Sequence, residues 1–213
     1  MPSADDRRPT WTGADDEALM GHAARGDPGA FAELVRRHQR RVFNLAFRSV
    51  GNASDADDLT QEVFLRVYRA AGRYQPTARF TTWLYRVATN AIINWLRHRD
   101  RQPVELARVA AGDDQDEAAG LIPDPGAETG VDALARAELR QQVRSAIAAL
   151  PDKQRLALIL FRFEEQSYQE IGEALDLSVM AVKSLLSRAR ENLRGRLGRY
   201  VGVAATEVDE HGA

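Results

Sequence analysis

Residues 167–186 read SYQEIGEALDLSVMAVKSLL, and this stretch decides the fold of the C-terminal part of the chain. Ser167 and Glu170 have the spacing of a capping box, which predicts the start of a short helix. Asp176 stands where a tight turn needs left-handed backbone geometry, which aspartate tolerates better than most residues. Ser178 suits the start of a second helix. The stretch therefore predicts a helix-turn-helix.

Small and apolar residues in the same stretch favour close packing of the two helices. Gly172 is small where the helices must approach, and the predicted packing positions are Ile171, Leu175, Leu177, Val182 and Leu185. The second helix presents hydrogen-bond donors outward, suited to base edges and phosphates in a major groove: Lys183, Ser184, Ser187 and Arg188. Ordinary helical bundles also contain such turns, but the agreement of these features favours DNA binding.

Charge is unevenly distributed along the chain, although the net charge is only −2. Between residues 176 and 200, six basic residues oppose two acidic ones, which leaves +4. Between residues 102 and 137, eight acidic residues oppose two arginines, which leaves −6. The basic C-terminal helix is suited to the phosphate backbone, and a solvated helix face is the alternative interpretation.

Composition excludes several classes of protein. The 213 residues include no cysteine, so disulfides, thiolate metal sites and cysteine nucleophiles are ruled out. The polar N-terminus lacks a signal peptide, and no apolar run approaches the roughly 20 residues that span a bilayer. A Gly-rich phosphate loop, an HExxH motif and a nucleophile motif are also absent. We therefore expect a cytoplasmic protein that is not an enzyme, with no catalytic residue, cofactor or metal.

Helical periodicity extends through most of the sequence and predicts an all-α fold of two small domains. The first domain should contain a helix over about 28–49, stopped by Gly51, a second from Ser54 to about Gly72, and a third after a loop at 73–78. The expected buried side of the third helix is Trp83, Leu84, Val87, Ala88, Ala91 and Trp95. The predicted boundaries are a disordered tail at 1–14, domains at 15–101 and 131–200, an acidic flexible linker at 102–130, and a polar tail at 201–213.

Two surfaces of the first domain carry further candidate sites. The aromatic loop and the outward side of the third helix combine rings with polar groups suited to unpaired bases: Tyr74, Phe80, Thr82, Tyr85, Arg86, Thr89, Asn90 and Asn94. The alternative is that these aromatics, with Trp83 and Trp95, simply fill a core. The second helix has a polar side beside its apolar stripe, suited to a protein partner or to solvent alone.

Three motifs together resemble the extracytoplasmic-function sigma factors of bacteria. They are DADDLTQEVFLRVY at 55–68, FTTWLYRVATN at 80–90, and VKS at 182–184 followed by RARENL at 188–193. The resemblance implies a protein that binds core RNA polymerase, recognises promoters and catalyses nothing itself. It also implies a variable linker between the two domains, which here would run through polymerase channels where its negative charge mimics nucleic acid.

The resemblance assigns roles to particular positions. Core polymerase would bind through its largest and second-largest subunits, and the largest subunit would contact Asp57, Asp58, Gln61, Glu62 and Arg66. The melted minus-10 element, with a flipped base, would be read by Tyr74, Arg79, Phe80, Thr82, Arg86, Thr89, Asn90, Asn94 and Arg97. The double-stranded minus-35 element would be read by Ser178, Met180, Ala181, Lys183, Ser184, Ser187, Arg188 and Arg190. An anti-sigma factor is a further expected partner.

Two positions depart from the family pattern, and one other function class stays open. Relatives often carry Thr at the position of Ala181 and Arg at that of Leu185. The alternative function is a stand-alone helix-turn-helix regulator. Such a regulator would account for residues 167–194 but leaves the motifs of the first domain unexplained, and it would usually bind DNA as a dimer.

Overall fold

A computed structural model describes residues 11–76, 78–99 and 131–209, which form helices and short connections. The predicted linker at 102–130 lies outside the described residues, as do 1–10 of the predicted N-terminal tail. The helices of the first domain are α1 (Asp16–Ala24), α2 (Pro28–Val50), α3 (Ala53–Ala70) and α4 (Phe80–Arg99). Those of the second are α5 (Val131–Ala148), α6 (Asp152–Arg162), α7 (Tyr168–Leu175) and α8 (Val179–Asp209). The all-α fold is as predicted.

Residues 11–14 pack against the first domain, so the prediction of a disordered tail at 1–14 was wrong for these last four residues. Trp11–Gly13 form a 3-10 turn, and the Trp11 ring lies 4.5 Å from that of His22. The Arg37 guanidinium donates to the carbonyl oxygens of Trp11 and Ala14 and pairs with Asp16 at 3.0 Å. One half-buried cation therefore joins this segment to α2.

Side-chain and glycine caps define the ends of α2 and α3. The Asp27 carboxylate accepts from the backbone N–H groups of Gly29 and Ala30, and α2 ends at Gly51 with φ 80°, as predicted. Asn52, not Ser54, caps α3 by accepting from the N–H of Asp55. Asn52 takes this place because it has the extended backbone of a cap residue, whereas Ser54 already lies inside the helix.

The helix α4 is buried on two sides, which the sequence did not reveal. Its first side packs on α2 and α3 around Leu84 and Ala88, and its second side contacts α7 of the other domain. The residues buried on that second side are Thr82, Tyr85 and Thr89, which were predicted to point outward. By contrast, the predicted core residues Trp83, Val87 and Trp95 are only half-buried.

The turn between α7 and α8 has the predicted geometry. Asp176 adopts the left-handed conformation with φ 54°, and the N–H of Leu177 donates to the Gly172 carbonyl oxygen at 2.8 Å. A Cβ atom on Gly172 would lie 2.7 Å from the carbonyl oxygen of Leu177, so the turn requires glycine there. The backbone of α8 continues to Asp209, into the predicted polar tail at 201–213.

Replacing Gly172 tests this close approach. Gly172→Ala should destabilise the second domain by about 1–3 kcal/mol, because the turn must move to admit the methyl group. Gly195→Ala on the exposed side of α8 is the matched control, since its Cβ would meet no described atom within 4 Å. That control should gain roughly 0.5–1 kcal/mol from helix propensity. Urea unfolding followed by circular dichroism measures the free energy of unfolding of both variants. An increase in that free energy for both would contradict the close approach at Gly172.

Candidate DNA-reading and polymerase-binding surfaces

The first candidate surface lies along α8. Val182, Leu186 and Ala189 anchor the helix in the core of the second domain. The opposite side is exposed and carries nearly all of the predicted minus-35 residues: Ser178, Met180, Lys183, Ser184, Ser187, Arg188 and Arg190. Ala181 and Leu185, the two departures from the family pattern, are half-buried. The arrangement leaves one continuous row of donors and cations free to enter a groove.

Local contacts hold this surface in place. The Ser178 hydroxyl accepts from the N–H of Ala181, and Ser167 and Glu170 form the predicted capping box at the start of α7. The Lys183 ammonium lies 5.9 Å from the ring centroid of Tyr168, within the range of a cation–π contact. These contacts orient the two helices without using up the outward donors of α8.

The second candidate surface is the exposed side of α3. It presents Asp57, Asp58, Gln61 and Glu62 to solvent, and Arg66 forms an ion pair with Glu62. Leu65 and Tyr68 are each 54% exposed beside these polar groups, and sequence reasoning missed them as site residues. The available signal was their spacing of three residues outside the buried stripe of an otherwise amphipathic helix. A charged patch with exposed apolar side chains is suited to a protein partner.

The third candidate surface, at the start of α4, is only partly exposed. Arg79, Arg86, Asn90, Asn94 and Arg97 face solvent as predicted.

Phe80 was predicted to contact DNA, but it is only 1% exposed. Its ring centroid lies 5.3 Å from that of His38 and 5.9 Å from that of Trp83, so its role here is to fill the core. Tyr74 is half-buried in the same aromatic cluster, with its ring centroid 5.0 Å from that of Trp83. The Phe80 N–H donates to the Glu17 carboxylate, which fixes the start of α4.

The second domain covers the remaining predicted minus-10 residues. The Thr89 hydroxyl donates to the Ala174 carbonyl oxygen of α7 at 2.8 Å, and the Tyr85 hydroxyl donates to Glu164 at 2.7 Å. Thr82 borders a cleft whose other wall includes Glu173 and Asp176. The polar side of α4 is therefore buried because it contacts α7, not because it belongs to the core of its own domain.

Glu164 is the most buried carboxylate of this contact, with a side chain 7% exposed. Burial raises its pKa, and the Tyr85 hydrogen bond and the positive charges of Arg48 and Arg41 oppose that rise. Burial, together with the neighbouring Glu164, also raises the pKa of the Tyr85 hydroxyl. Arg48 lies 3.6 Å from the Glu164 carboxylate, so the charge has a partner across the domain boundary.

A second polar contact joins the domains near the end of α2. Arg155 is 6% exposed and donates to the Ser49 carbonyl oxygen, as well as to groups of its own domain, the Leu150 carbonyl oxygen and Asp152. Because one guanidinium bonds to both domains, their relative position is tied to the end of α2.

The described residues offer neither a metal site nor a membrane-spanning helix. No cluster of three or more His, Asp or Glu side chains there could hold a metal ion. No helix in the same part of the chain is long and apolar enough to cross a membrane.

Comparison with known proteins identifies the family. The family model described as Sigma-70 region 2 matches residues 34–102, and the model described as Sigma-70, region 4 matches residues 140–193. The chain is 35% identical to the ECF RNA polymerase sigma factor SigW of Bacillus subtilis, covering 81% of this chain and 91% of that protein. The chain belongs to the extracytoplasmic-function sigma factors. It is also 33% identical to the ECF sigma-E factor of Escherichia coli, covering 85% and 94%.

Solved structures agree with this assignment. The sigma factor is similar to CnrH in complex with the cytosolic domain of CnrY, with 26% identity, a TM-score of 0.60 and coverage of 86% and 97%. Its fold is also that of RpoE from Bartonella quintana, solved with the anti-sigma factor NepR, with 20% identity, a TM-score of 0.57 and coverage of 79% and 96%.

The function of the chain follows from its family. As a sigma factor it binds core RNA polymerase and directs transcription initiation at promoters, which confirms the predicted resemblance. The alternative of a stand-alone helix-turn-helix regulator is not favoured, because the first domain matches region 2 of sigma factors. Sigma factors are initiation factors and do not form an enzyme family.

The capping box that positions the helix-turn-helix should make its stability depend on pH. Hydrogen bonds from the backbone N–H and hydroxyl of Ser167 lower the pKa of Glu170 below its ordinary value of 4.5. A lowered carboxyl pKa stabilises the fold above the ordinary value, and this stabilisation is lost as the pH falls through the folded value.

Ser167→Ala should lower stability near neutrality by about 1 kcal/mol and reduce this pH dependence. Ser187→Ala is the control, because Ser187 is an exposed residue in the middle of α8. It should change neither the stability near neutrality nor its pH dependence. Thermal unfolding of both variants, near neutrality and well below pH 4.5, checks the assignment. An equal pH dependence in wild type and Ser167→Ala would contradict it.

Proposed function

We propose that the three surfaces divide the work of promoter recognition among them. The exposed side of α3 binds core polymerase, α4 reads the melted minus-10 element, and α8 reads the minus-35 element. The observation that carries this division is that the minus-35 donors lie along one exposed side of α8, while the polar polymerase-binding set lies along one exposed side of α3. Each helix therefore offers a surface suited to a different partner.

The proposal includes regulation by an anti-sigma factor in the cytoplasm. Two of the similar solved structures support it, because CnrH is bound to the cytosolic domain of CnrY and RpoE to the anti-sigma factor NepR. The protein itself catalyses no reaction in this scheme. Its acidic linker at 102–130 would pass through polymerase channels that otherwise hold nucleic acid.

Core binding and promoter selection are tested together by mixing the purified chain with bacterial core polymerase. Co-elution from a sizing column, followed by run-off transcription from pooled genomic fragments, should yield start sites preceded by two shared elements. Failure to bind a core enzyme that a known sigma factor binds would contradict the proposal.

Cations of α8 should contribute to use of the minus-35 element. Lys183→Ala or Arg188→Ala should weaken promoter binding by about 1–3 kcal/mol for each lost groove contact, while polymerase binding persists. Lys153→Ala removes one exposed positive charge from α6 and serves as the control. Filter binding of polymerase holoenzyme to promoter DNA checks this, and equal losses in all three variants would indicate a nonspecific charge effect instead.

The polar side of α3 should contribute to polymerase binding. Changing Asp58 and Gln61 together to Ala should weaken binding to core polymerase by at least ten-fold, or about 1.4 kcal/mol. Glu138 and Gln141 on α5 form a matched pair with the same spacing, and their replacement should leave binding unchanged. Competition against a labelled sigma factor measures both affinities. The division proposed here is wrong if the α8 variants lose polymerase binding as strongly as the α3 variant.

A further inference from the structure

A large apolar side chain is exposed near the start of α8. Met180 is 77% exposed, more than any other large apolar side chain in the part of the chain that the structure describes. Val179 beside it is 42% exposed. An exposed thioether contributes nothing to the core, because apolar surface stabilises a fold only when it leaves water. Single exposed apolar residues are common on protein surfaces, so the surroundings of Met180 decide whether it has a partner.

Met180 lies on the side of α8 that points away from its own domain. Met180, Ser184 and Ser187 follow one another at intervals of four and three residues, which places them in one row along a helix. All three are exposed. Val182 and Leu186, on the opposite side, are buried in the core of the second domain. We call the row of Met180, Ser184 and Ser187 the central row.

Cations lie on both sides of the central row. At 3.6 residues per turn, Lys183 falls on one side of the row and Arg188 on the other, and both are exposed. Residues 179–190 contain three basic residues and no acidic one. Phosphates line both edges of a major groove, and base edges form its floor. The charge pattern of α8 therefore matches duplex DNA, with the uncharged central row placed over the bases.

The chemistry of Met180 selects one group on those base edges. In the major groove, thymine presents a methyl group, whereas the other bases are distinguished by hydrogen-bond donors and acceptors. The Met180 thioether is only a weak acceptor and has no donor, so it cannot pair with those polar groups. Its unbranched side chain adapts readily to an apolar surface. The favourable partner for Met180 on a base edge is therefore the methyl group of thymine.

The neighbouring positions add no polar group that would compete for this base. Ala181 and Leu185 are both half-buried and have apolar side chains, so neither can donate a hydrogen bond to a base edge. Ser178 precedes α8, and its hydroxyl accepts from the N–H of Ala181. The start of α8 therefore presents Met180 to the groove as an apolar contact.

We propose that Met180 is a specificity-determining residue that reads a thymine methyl group in the minus-35 element. The inference rests on the proposed role of α8 in reading that element, and it adds the base and the chemical group that this chain selects. Lys183 and Arg188 hold the helix on the phosphates, and Met180 discriminates between bases beneath it. An A·T base pair is therefore expected where the start of α8 enters the groove.

Deoxyuridine in place of thymine tests the contact without changing the protein. Uracil forms the same base pair with adenine and lacks only the methyl group. The probes are promoter fragments recovered by run-off transcription, with each thymine of the minus-35 element replaced in turn on either strand. Filter binding of the holoenzyme should be roughly four-fold weaker at one thymine or two neighbouring ones. That factor corresponds to about 0.8 kcal/mol, the contribution of one buried methyl group.

Variants of Met180 assign the effect to this side chain. Met180→Ala should bind the thymine and deoxyuridine promoters equally, whereas Met180→Leu should still prefer thymine because it keeps an apolar side chain. Leu139→Ala is the matched control, since Leu139 is a 48% exposed apolar residue of the same domain, on α5. It should keep the wild-type preference. Val179→Ala tests the apolar neighbour and should also keep that preference.

The salt dependence of binding separates the two kinds of contact. A contact to phosphate releases counterions, whereas a contact to a methyl group does not. Met180→Ala should therefore leave the slope of log affinity against log salt unchanged, and Lys183→Ala should reduce that slope by about 1. A reduced slope in Met180→Ala would mean that the substitution disturbs the phosphate contacts of α8, and it would overturn the proposal.

The outcomes distinguish this inference from the proposed function. A preference for thymine in wild type that is lost in Met180→Ala and kept in Met180→Leu and Leu139→Ala would support it. Promoter binding with no methyl-sensitive thymine, or with a preference that persists in Met180→Ala, would overturn the inference alone. Loss of core polymerase binding in Met180→Ala would also overturn it, because Met180 would then contact a protein. Absence of promoter binding by the wild-type holoenzyme would contradict the proposed function as well.

Discussion

The contact between α4 and the second domain is the constraint on which the arrangement of the two domains depends. Along one side, α4 packs into its own domain through apolar residues such as Leu84 and Ala88. Along the other, Tyr85 and Thr89 satisfy their hydroxyl groups on Glu164 and on the backbone of α7. Because a buried hydroxyl without a partner is costly, these bonds determine where the second domain can sit.

Polar groups, rather than apolar ones, give this contact its specificity. Apolar surfaces pack in several registers, whereas a buried carboxylate needs its donors at fixed positions. Arg155 bonds to the Ser49 carbonyl oxygen across the boundary, and Arg48 pairs with Glu164. Both arginines lie outside the sets predicted to bind DNA or polymerase. These two arginines therefore serve the domain arrangement alone, whereas Tyr85 and Thr89 belong both to the domain contact and to the candidate DNA-reading surface.

Sequence reasoning succeeded where local chemistry decides the structure. The capping box at Ser167, the left-handed turn at Asp176 and the close approach at Gly172 are each determined by residues within one or two helical turns. It did not reveal that Phe80 lies in the core of the first domain or that Thr89 contacts the second domain, because residues that contact DNA, a core or another domain can have the same aromatic or polar character. It also did not reveal that Leu65 and Tyr68 are exposed, since the exposure of a side chain depends on which neighbouring helices cover it.

The sequence by itself determined the helices, the helix-turn-helix and the membership of the sigma factors, because hydrophobic periodicity, caps and motifs are local properties of the chain. The apolar stripe of α8 likewise predicted which of its hydrogen-bond donors are exposed. Only the tertiary structure decided which polar residues of α4 are accessible. That outcome depends on the packing of residues far apart in sequence, such as Thr89 and Ala174, whose contact no local pattern records.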